Sequence, residues 1–322
     1  MRVIPSITCL AIALAAWSGN SHALAADPPA SSTREKTADN IVSGPTTEPS
    51  STLLQAGAEP RRALRLHPKP GEKRTSTMTL KIAMEVQMGV TEAAPTKMPA
   101  TTIAIDYTVN KVSAEGEITY EAVMTDTTVA EDSDAKPEIV QAMKTALVGV
   151  KGMSINGIMS SRGIVRESQV KMPPDIAPQT RQMMEQMKDA FSNTGVGFPQ
   201  EPVGLGAKWE LKQKVKSQGI TLDQTTVYEL LSLEGDRVKL KTTVTQIAAN
   251  QQIQNPAMAG MTVDVVKLQS KGGGEVTADL AQLMPVQATM GMHNETAMAM
   301  NTGDEKTEMS IKMDMKVGVE TK

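Results

Sequence analysis

Apolar and polar residues alternate without interruption along two segments of this chain. In the first, from Thr77 to Met88, every second residue is methionine, leucine, isoleucine or valine. The second, from Glu308 to Val319, repeats the pattern with methionine, isoleucine and valine. Because successive side chains of a β-strand point to opposite faces, a strict period of two predicts strands with one apolar face and one solvated face. The sequence therefore predicts an antiparallel sheet with one face in solvent.

The first 62 residues are predicted to lie outside the folded domain. Residues 1–25 have the layout of a secretory signal peptide, with Arg2 before an apolar stretch and small residues before a cleavage point at Ala26. Residues 26–62 are rich in Pro, Ser, Thr, Ala and Gly without apolar periodicity, which is typical of a disordered leader. We therefore expect an exported protein, periplasmic or extracellular. Its mature chain should have no transmembrane segment, because no other run of about 20 apolar residues occurs.

The chain has one cysteine, Cys9, and it lies inside the predicted signal peptide. Lipidation of Cys9 would make the protein a lipoprotein, but Ser6-Ile7-Thr8 is a poor lipobox, so we expect release by cleavage instead. The mature chain then has no thiol for a disulfide, a zinc thiolate site or nucleophilic catalysis. Export without disulfides is typical of a bacterial envelope protein whose fold depends on its core alone.

Charge and aromatic content argue against a nucleic-acid partner. Without Arg2, the mature chain has 32 Lys and Arg residues against 36 Asp and Glu, a formal charge of −4. The whole chain contains 2 Phe, 3 Tyr and 2 Trp residues, too few for a basic surface with stacking aromatics. Methionine, which occurs 23 times, must therefore fill much of the interior, where its flexible thioether fits irregular gaps.

Residues 63–322 are predicted to form a β-rich domain, either as one unit or as two sheet halves joined near residues 195–206. The predicted fold class is mainly β (α+β): a large curved antiparallel sheet or half-barrel of about ten or more strands. Two helices are expected to pack on its apolar face. One begins at Pro137 with an apolar stripe, and the other runs from Ile176 to Phe191 with a stripe of methionines. The second helix is interpreted either as a plug of the core or as a lid over an apolar cavity.

Two short segments are predicted to interrupt the strands. Glu234-Gly235-Asp236 is a good hairpin turn. Gly272-Gly273-Gly274 lacks the Lys and Ser/Thr with which a glycine loop holds phosphate, so it is predicted to be a hairpin or a bulge. From Lys208 to Lys216 charged residues, four lysines and one glutamate, occupy alternate positions, and Trp209, Leu211 and Val215 face the other way. This pattern predicts a solvated outer face that discourages edge aggregation.

The methionines also suggest a copper site, because thioethers suit Cu(I) and Met-x-Met places two sulfurs on one face of a strand. The candidates near the carboxyl end are Met290, Met292, Met298, Met300, Met313 and Met315. The same positions complete the apolar face of the predicted strands, so we interpret them first as core residues. His293 is expected on the opposite face from Met290 and Met292.

Catalytic motifs are missing from the sequence. His67 and His293 are the histidines of the mature chain, and neither stands in the context of a catalytic triad or a nucleophile elbow. We interpret both as surface or strand-edge residues. Accordingly, no catalytic, cofactor-binding or metal-binding residue is assigned, and no cofactor is expected.

One segment carries a family resemblance: Phe198-Pro199-x-x-Pro202-Val203-x-x-Gly206-x-x-Trp209. Together with the signal and polar leader and Gly71-Glu72, it resembles an uncharacterised family of exported bacterial β-rich proteins without assigned activity. The resemblance covers about Leu64 to Lys322 and implies no functional residues. At the level of fold alone, strands curved around apolar helices are also similar to the periplasmic lipoprotein-carrier and lipid-carrier half-barrels, which shelter acyl chains.

The function predicted from these observations is that of a non-enzymatic bacterial envelope protein. Its leading partner class is an apolar small molecule such as a lipid, with no nucleic acid. The alternative is a methionine-rich copper-binding protein of the periplasm. A cavity under the helix Ile176–Phe191 would favour the first function, and convergent methionine sulfurs would favour the second.

Overall fold

The computed structural model of the chain describes residues 40–43, 49–89, 91–92, 95–131, 135–173, 197–217, 220–253, 261–302 and 305–322. The predicted signal peptide lies outside these ranges, and so does the predicted leader up to residue 39. The strands are β1 (Asn40–Ser43), β2 (Ser50–Gln55), β3 (Lys73–Met88), β4 (Thr91–Glu92), β5 (Thr96–Lys97), β6 (Thr101–Val112), β7 (Ile118–Val129), β8 (Ser154–Met159), β9 (Val165–Lys171), β10 (Lys208–Ser217), β11 (Ile220–Glu234), β12 (Arg237–Ala248), β13 (Gln251–Ile253), β14 (Met261–Asp279), β15 (Gln287–Thr302) and β16 (Glu305–Thr321).

All sixteen strands of the described residues belong to one antiparallel sheet. Its strand order is β1-β9-β8-β7-β6-β3-β16-β15-β14-β12-β11-β10-β2, with the short strands β4, β5 and β13 paired to β3 or β14 outside this path. The amino-terminal strands β3 and β6–β9 form one meander, and β10–β16 form the other. The two meanders meet where β3 pairs with β16 along thirteen residues of register, from Ser76–Thr321 to Met88–Met309.

The alternating segments that predicted strands are β3 and β16, and they have the predicted faces. Met78, Leu80 and Ile82 of β3 are buried, whereas Lys81 between them is exposed. The apolar faces of most strands join into one core cluster, which contains residues from both meanders. We refer to this apolar face as the inner face and to the solvated face as the outer face.

The prediction of two helices packed on the inner face is wrong. The described residues contain one α-helix, α1 (Pro137–Leu147), which ends in a 3₁₀ turn (Val148–Val150). The second predicted helix, Ile176–Phe191, lies outside the described residues. Connecting segments supply part of the cover that was expected from helices. Their buried residues in the main core cluster include Leu64, Leu66, Phe198, Val203, Leu280 and Leu283.

The two ends of the strand order are joined by three connecting segments, residues 62–66, 160–164 and 197–203, which we call the seam. The backbone N–H of Leu66 donates to the Ser161 carbonyl in the β8–β9 turn at 2.7 Å, and that of Phe198 donates to the Arg162 carbonyl at 2.8 Å. Residues 62 and 203 pair as an isolated antiparallel bridge beside β10. Since β8–β9 and β10 lie near opposite ends of the strand order, the sheet is rolled until those ends come together.

An aromatic cluster fills the interior beside the seam. Trp209 is fully buried, stacks on Tyr228 with 5.4 Å between ring centroids, and lies 6.3 Å from Phe198. Its indole N–H donates to the Gly197 carbonyl at 3.1 Å, so the polar edge of the ring is satisfied. The motif from Phe198 to Trp209 therefore has a structural explanation, because its apolar residues close the rolled sheet.

The glycine triplet at residues 272–274 is neither a hairpin nor a bulge. It lies inside β14, and all three glycines pair in register with β12 on one side and β15 on the other. A Cβ on Gly272 would lie 2.2 Å from the Met292 sulfur, and one on Gly274 would lie 1.8 Å from the Thr289 carbonyl oxygen. Glycine is needed there because neighbouring groups approach the backbone closely, not because the chain turns.

The predicted hairpin at Glu234-Gly235-Asp236 is confirmed. Glu234 pairs with Arg237, so Gly235 and Asp236 form a two-residue loop, and Gly235 has a positive φ of 54°. In the part of the chain that the structure describes, no helix has the length and apolarity that crossing a membrane requires.

Candidate functional site

A cavity of about 420 Å³ opens on the outer face, across β14, β15, β16 and β3, and we call it the outer groove. Gly274, Met290 and Val317, whose positions alternate with outward-facing ones, also line it. The outward-facing residues that line it are Thr79, Lys81, Gly273, Thr289, Gly291, Lys316 and Gly318. Its floor is therefore bare backbone, and its rim carries two lysines and two threonines.

Two of the floor glycines have no packing reason to be glycine. A Cβ on Gly318 would have no atom within 4 Å, and one on Gly291 would meet only the Met315 carbonyl oxygen at 3.9 Å. Neither has a φ in the left-handed region. Glycine inside a strand costs conformational entropy and contributes no side chain, so a larger residue at either position would be tolerated or favoured. The effect of these two glycines is to keep the groove empty.

The two lysines of the rim are direct neighbours. Lys81 and Lys316 are register partners on β3 and β16, and both are exposed. Within the described residues, neither forms an ion pair with a carboxylate. Like charges opposite each other on adjacent strands destabilise the pair of strands. An anion held between the two ammonium groups would remove this repulsion, so the rim is suited to a negatively charged group.

The lysines of β10 differ from this pair. Lys212 forms an ion pair with Glu210 at 2.7 Å, and Lys214 forms one with Asp223 at 2.6 Å. On the opposite face of the same strand, Trp209, Leu211 and Val215 are buried, as predicted. The described part of this segment therefore has the solvated outer face that its alternation predicted, and Lys212 and Lys214 already have carboxylate partners on the sheet itself.

Both predicted surface histidines lie on the outside of the molecule. The His67 side chain is 53% exposed, and its Nε2 lies 3.3 Å from an Asp236 oxygen. His293 is on the outer face, opposite to Met292, and contacts Asp314 and Glu295. Among the described residues, no group of three or more His, Asp or Glu side chains is placed to hold a metal ion.

The candidate copper ligands share the inner face. Met290, Met292, Met313 and Met315 are buried there, and Met292 and Met315 are direct cross-strand partners on β15 and β16. Met298 and Met300, nearer the end of β15, are partly buried. The four buried methionines therefore lie among core side chains, in the main cluster that also contains Val317 and Val319, whereas Met298 packs against a separate apolar cluster.

A small cavity lies beside α1 on the inner face. Its volume is about 10 Å³, and it is lined by Leu80, Ile82, Met98, Pro99, Thr101 and Met143. That volume holds about one water molecule, not an acyl chain. The Thr101 hydroxyl there is buried without a hydrogen-bond partner, which is consistent with a single water. The cavity expected under the helix Ile176–Phe191 lies outside the described residues.

Sequence reasoning did not find the outer groove. Its lysines were assigned to a solvated face, because the pairing of β3 with β16 is a long-range register that alternation does not define. The pattern that would have indicated the groove is a local one. Gly291 and Gly318 occupy outward positions whose neighbours on the same face, Thr289, His293 and Lys316, are polar or charged.

Comparison with known proteins adds little. No family model matches the chain, and no curated protein matches it. The Pseudomonas aeruginosa protein OccK8 (OprE) is 6% identical, with 79% of this chain and 99% of that one covered and a TM-score of 0.16. A deltaS2 mutant of the TodX monoaromatic hydrocarbon channel is 8% identical, with 78% and 90% covered and a TM-score of 0.15. Scores this low carry no argument about the fold or the function.

Proposed function

We propose that this protein is an exported, non-enzymatic binding protein of the bacterial envelope whose outer groove holds an anionic amphipathic molecule, such as a fatty acid. The observation that carries the proposal is the groove floor formed by Gly291 and Gly318, where the fold leaves room for side chains and the sequence supplies none. A cavity of about 420 Å³ is within the usual range for small-molecule sites, which begins at about 300 Å³.

The two parts of such a ligand would contact different parts of the groove. An acyl chain would lie on the bare backbone of the glycines and bury apolar surface there. The anionic group would lie between Lys81 and Lys316 and make charge-assisted hydrogen bonds with both ammonium groups. Because the rim is exposed, this electrostatic contribution should weaken as salt is added.

Filling the groove tests the proposal. In the double variant Gly291→Thr, Gly318→Thr, the new side chains should occupy the floor and abolish binding of oleate, measured by calorimetry below its micelle concentration. The free energy of unfolding should stay unchanged or rise by up to about 1 kcal/mol per site, because glycine is unfavourable in a strand. Oleate binding that survives in a folded variant would rule out the groove as the site.

Charge removal tests the head-group contact separately. The variant Lys81→Gln, Lys316→Gln should weaken oleate binding about tenfold and remove most of its salt dependence, without loss of stability. The matched control, Lys212→Gln with Lys214→Gln, makes the same change in net charge on β10 and should leave oleate binding intact. Equal weakening in both variants would mean that only the net charge matters.

The copper alternative has one observation in its favour, the cross-strand pair Met292 and Met315 on the inner face. Native mass spectrometry of protein purified from the envelope distinguishes the two functions, because it reports bound lipid and bound copper in one spectrum. Copper retained at a fixed stoichiometry, and lost in Met292→Leu, would favour the alternative over the groove.

A further inference from the structure

A single register row crosses the outer groove from end to end. Its members are outward-facing residues of five adjacent strands, and each is the direct cross-strand partner of the next. In spatial order from β3 to β12 they are Lys81, Lys316, Gly291, Gly273 and Thr243. The row therefore has side chains at both ends and none in the middle, where two adjacent strands carry glycine. We call the stretch between Lys316 and Thr243 the glycine gap.

The glycine gap is closed at its β12 end. A Cβ on Gly273 would lie 2.5 Å from the Thr242 carbonyl oxygen and 3.5 Å from the Thr243 Cα, so the backbone of β12 stands directly beside the gap on the outer face. Thr243 adds an exposed side chain at the same point. A molecule held by the two lysines at the other end can therefore extend toward β12 only as far as this wall.

The neighbouring rows form the long sides of the glycine gap. On β15, Thr289 lies on one side of Gly291 and His293 on the other, all three on the outer face. The His293 side chain is held against the sheet by Asp314, with 2.8 Å between its Nδ1 and an Asp314 oxygen. Each of these rows is about 6.6 Å from the glycines along the strand. The open channel therefore runs across the strands, from the lysines to β12, and not along them.

The length of the channel follows from the spacing of strands. Adjacent strands are about 4.8 Å apart, so a point between Lys81 and Lys316 lies about 12 Å from β14, the last strand before the wall. An extended chain of single bonds advances about 1.2 Å per bond, one third of the roughly 3.3–3.6 Å that an extended backbone spans per residue. About ten bonds therefore reach from the lysines to the wall. The rest of a longer chain would have to leave the groove and remain in water.

We propose that the outer groove is sized for a medium-chain carboxylate of about ten to twelve carbons. The proposal rests on the proposed function and adds the length and direction of the ligand to it. The carboxylate lies between the ammonium groups of Lys81 and Lys316, the chain crosses Gly291 and Gly273, and its methyl end contacts the backbone of β12. Methylenes inside the glycine gap lose contact with water and strengthen binding, whereas those beyond it add nothing. Oleate therefore binds with the end of its chain outside the groove.

The test is a series of straight-chain carboxylates from hexanoate to tetradecanoate, each measured by calorimetry below its micelle concentration. Affinity for the native protein should rise with chain length, by up to about fourfold per methylene, and become constant between decanoate and dodecanoate. An affinity that keeps rising through tetradecanoate would overturn the length limit and leave the proposed function intact, and so would equal affinity for all members. Failure of every member to bind would overturn the proposed function and the length limit together.

A side chain placed in the glycine gap tests the direction of the chain. Gly291→Thr blocks the row one strand beyond Lys316, so hexanoate should still bind while affinity no longer rises from hexanoate to dodecanoate. The matched control, Gly318→Thr, makes the same change in the next row, and any weakening there should be the same for every chain length. Both variants should fold, because a Cβ at either glycine has no atom closer than 3.9 Å. A length dependence that is unchanged in Gly291→Thr, or altered equally in both variants, would overturn the proposed path.

Discussion

The clearest residue-scale effect of the strand alternation is at His293. Its neighbour Met292 is buried on the inner face, whereas the imidazole lies on the outer face with its Nδ1 2.8 Å from an Asp314 oxygen. The hydrogen bond with Asp314 raises the pKa of His293 above its usual 6.5. Glu295 raises this pKa further, but by less than Asp314 does. The protonated imidazole is therefore the form that the fold favours.

This arrangement predicts a pH dependence. His293 should titrate above pH 6.5 in the folded protein, and Asp314→Asn should lower its pKa more than Glu295→Gln does. Because the folded pKa is raised, the pair stabilises the fold below the unfolded pKa, and this stabilisation is lost as the pH rises through the folded pKa. The effect should be small, since the side chain is 48% exposed. NMR titration of the imidazole protons measures it, and a native pKa at or below 6.5 would contradict the assignment.

At the scale of elements, α1 shows how two adjacent residues differ in their contribution to packing. Leu147, the last residue of the helix, is 3% exposed and belongs to the main core cluster, whereas Val148 begins the 3₁₀ turn and is 76% exposed. The helix covers the sheet near β7 through its last turn, together with the partly buried Ile139 and Met143.

The matched pair Leu147→Ala and Val148→Ala tests this packing. Leu147→Ala should lower the free energy of unfolding by about 2–5 kcal/mol, because it leaves a cavity against the sheet. Val148→Ala should change it by less than about 0.5 kcal/mol. Urea unfolding of both variants, followed by circular dichroism, gives the comparison. Similar losses in the two variants would show that α1 does not pack through Leu147.

The elements also show how far the sequence defines this structure. Period-two patterns predicted the inner faces of β3, β10 and β16 correctly, because alternation is a local property of a strand. The glycines of β14 are predicted wrongly as a hairpin or a bulge, since their need for close backbone approach depends on Thr242, Thr289 and Met292 of other strands. A row of buried polar residues on five adjacent strands was missed for the same reason: Gln213, Gln224, Gln246, Ser270 and Asn294. Gln213 interrupts the apolar face between Leu211 and Val215, but its alignment with Gln224 and the rest of the row exists only after the strands pair.

For the whole molecule, the seam decides whether the rolled sheet is held together. Arg65 is its main side-chain clamp, with guanidinium N–H groups that donate to the Pro199 carbonyl at 2.9 Å and the Gln200 carbonyl at 2.8 Å. Those carbonyls belong to the segment before β10, while Leu66 next to Arg65 pairs with the β8–β9 turn. One short segment thus connects both ends of the strand order.

Replacement of this clamp should loosen the seam specifically. In Arg65→Ala, amide hydrogen exchange should become faster at Leu66 and Phe198 and in the β8–β9 turn, while β15 and β16 in the middle of the strand order keep their protection. Arg61→Ala is the matched control, because the partners of the Arg61 side chain among the described residues are the nearby Gly57 and Glu59. Exchange measured by mass spectrometry that is equal in the two variants would show that Arg65 does not hold the seam.

The pairing of β3 with β16 has a consequence for how the protein is made. Ser76 and Thr321, whose hydroxyls are 2.7 Å apart, are separated by 245 residues. One edge of the first long strand therefore stays uncovered until β16, 245 residues further along the chain, has been synthesised, and during that delay it is exposed to aggregation. Newly made chains should accordingly depend on chaperones after translation rather than fold stepwise as they emerge.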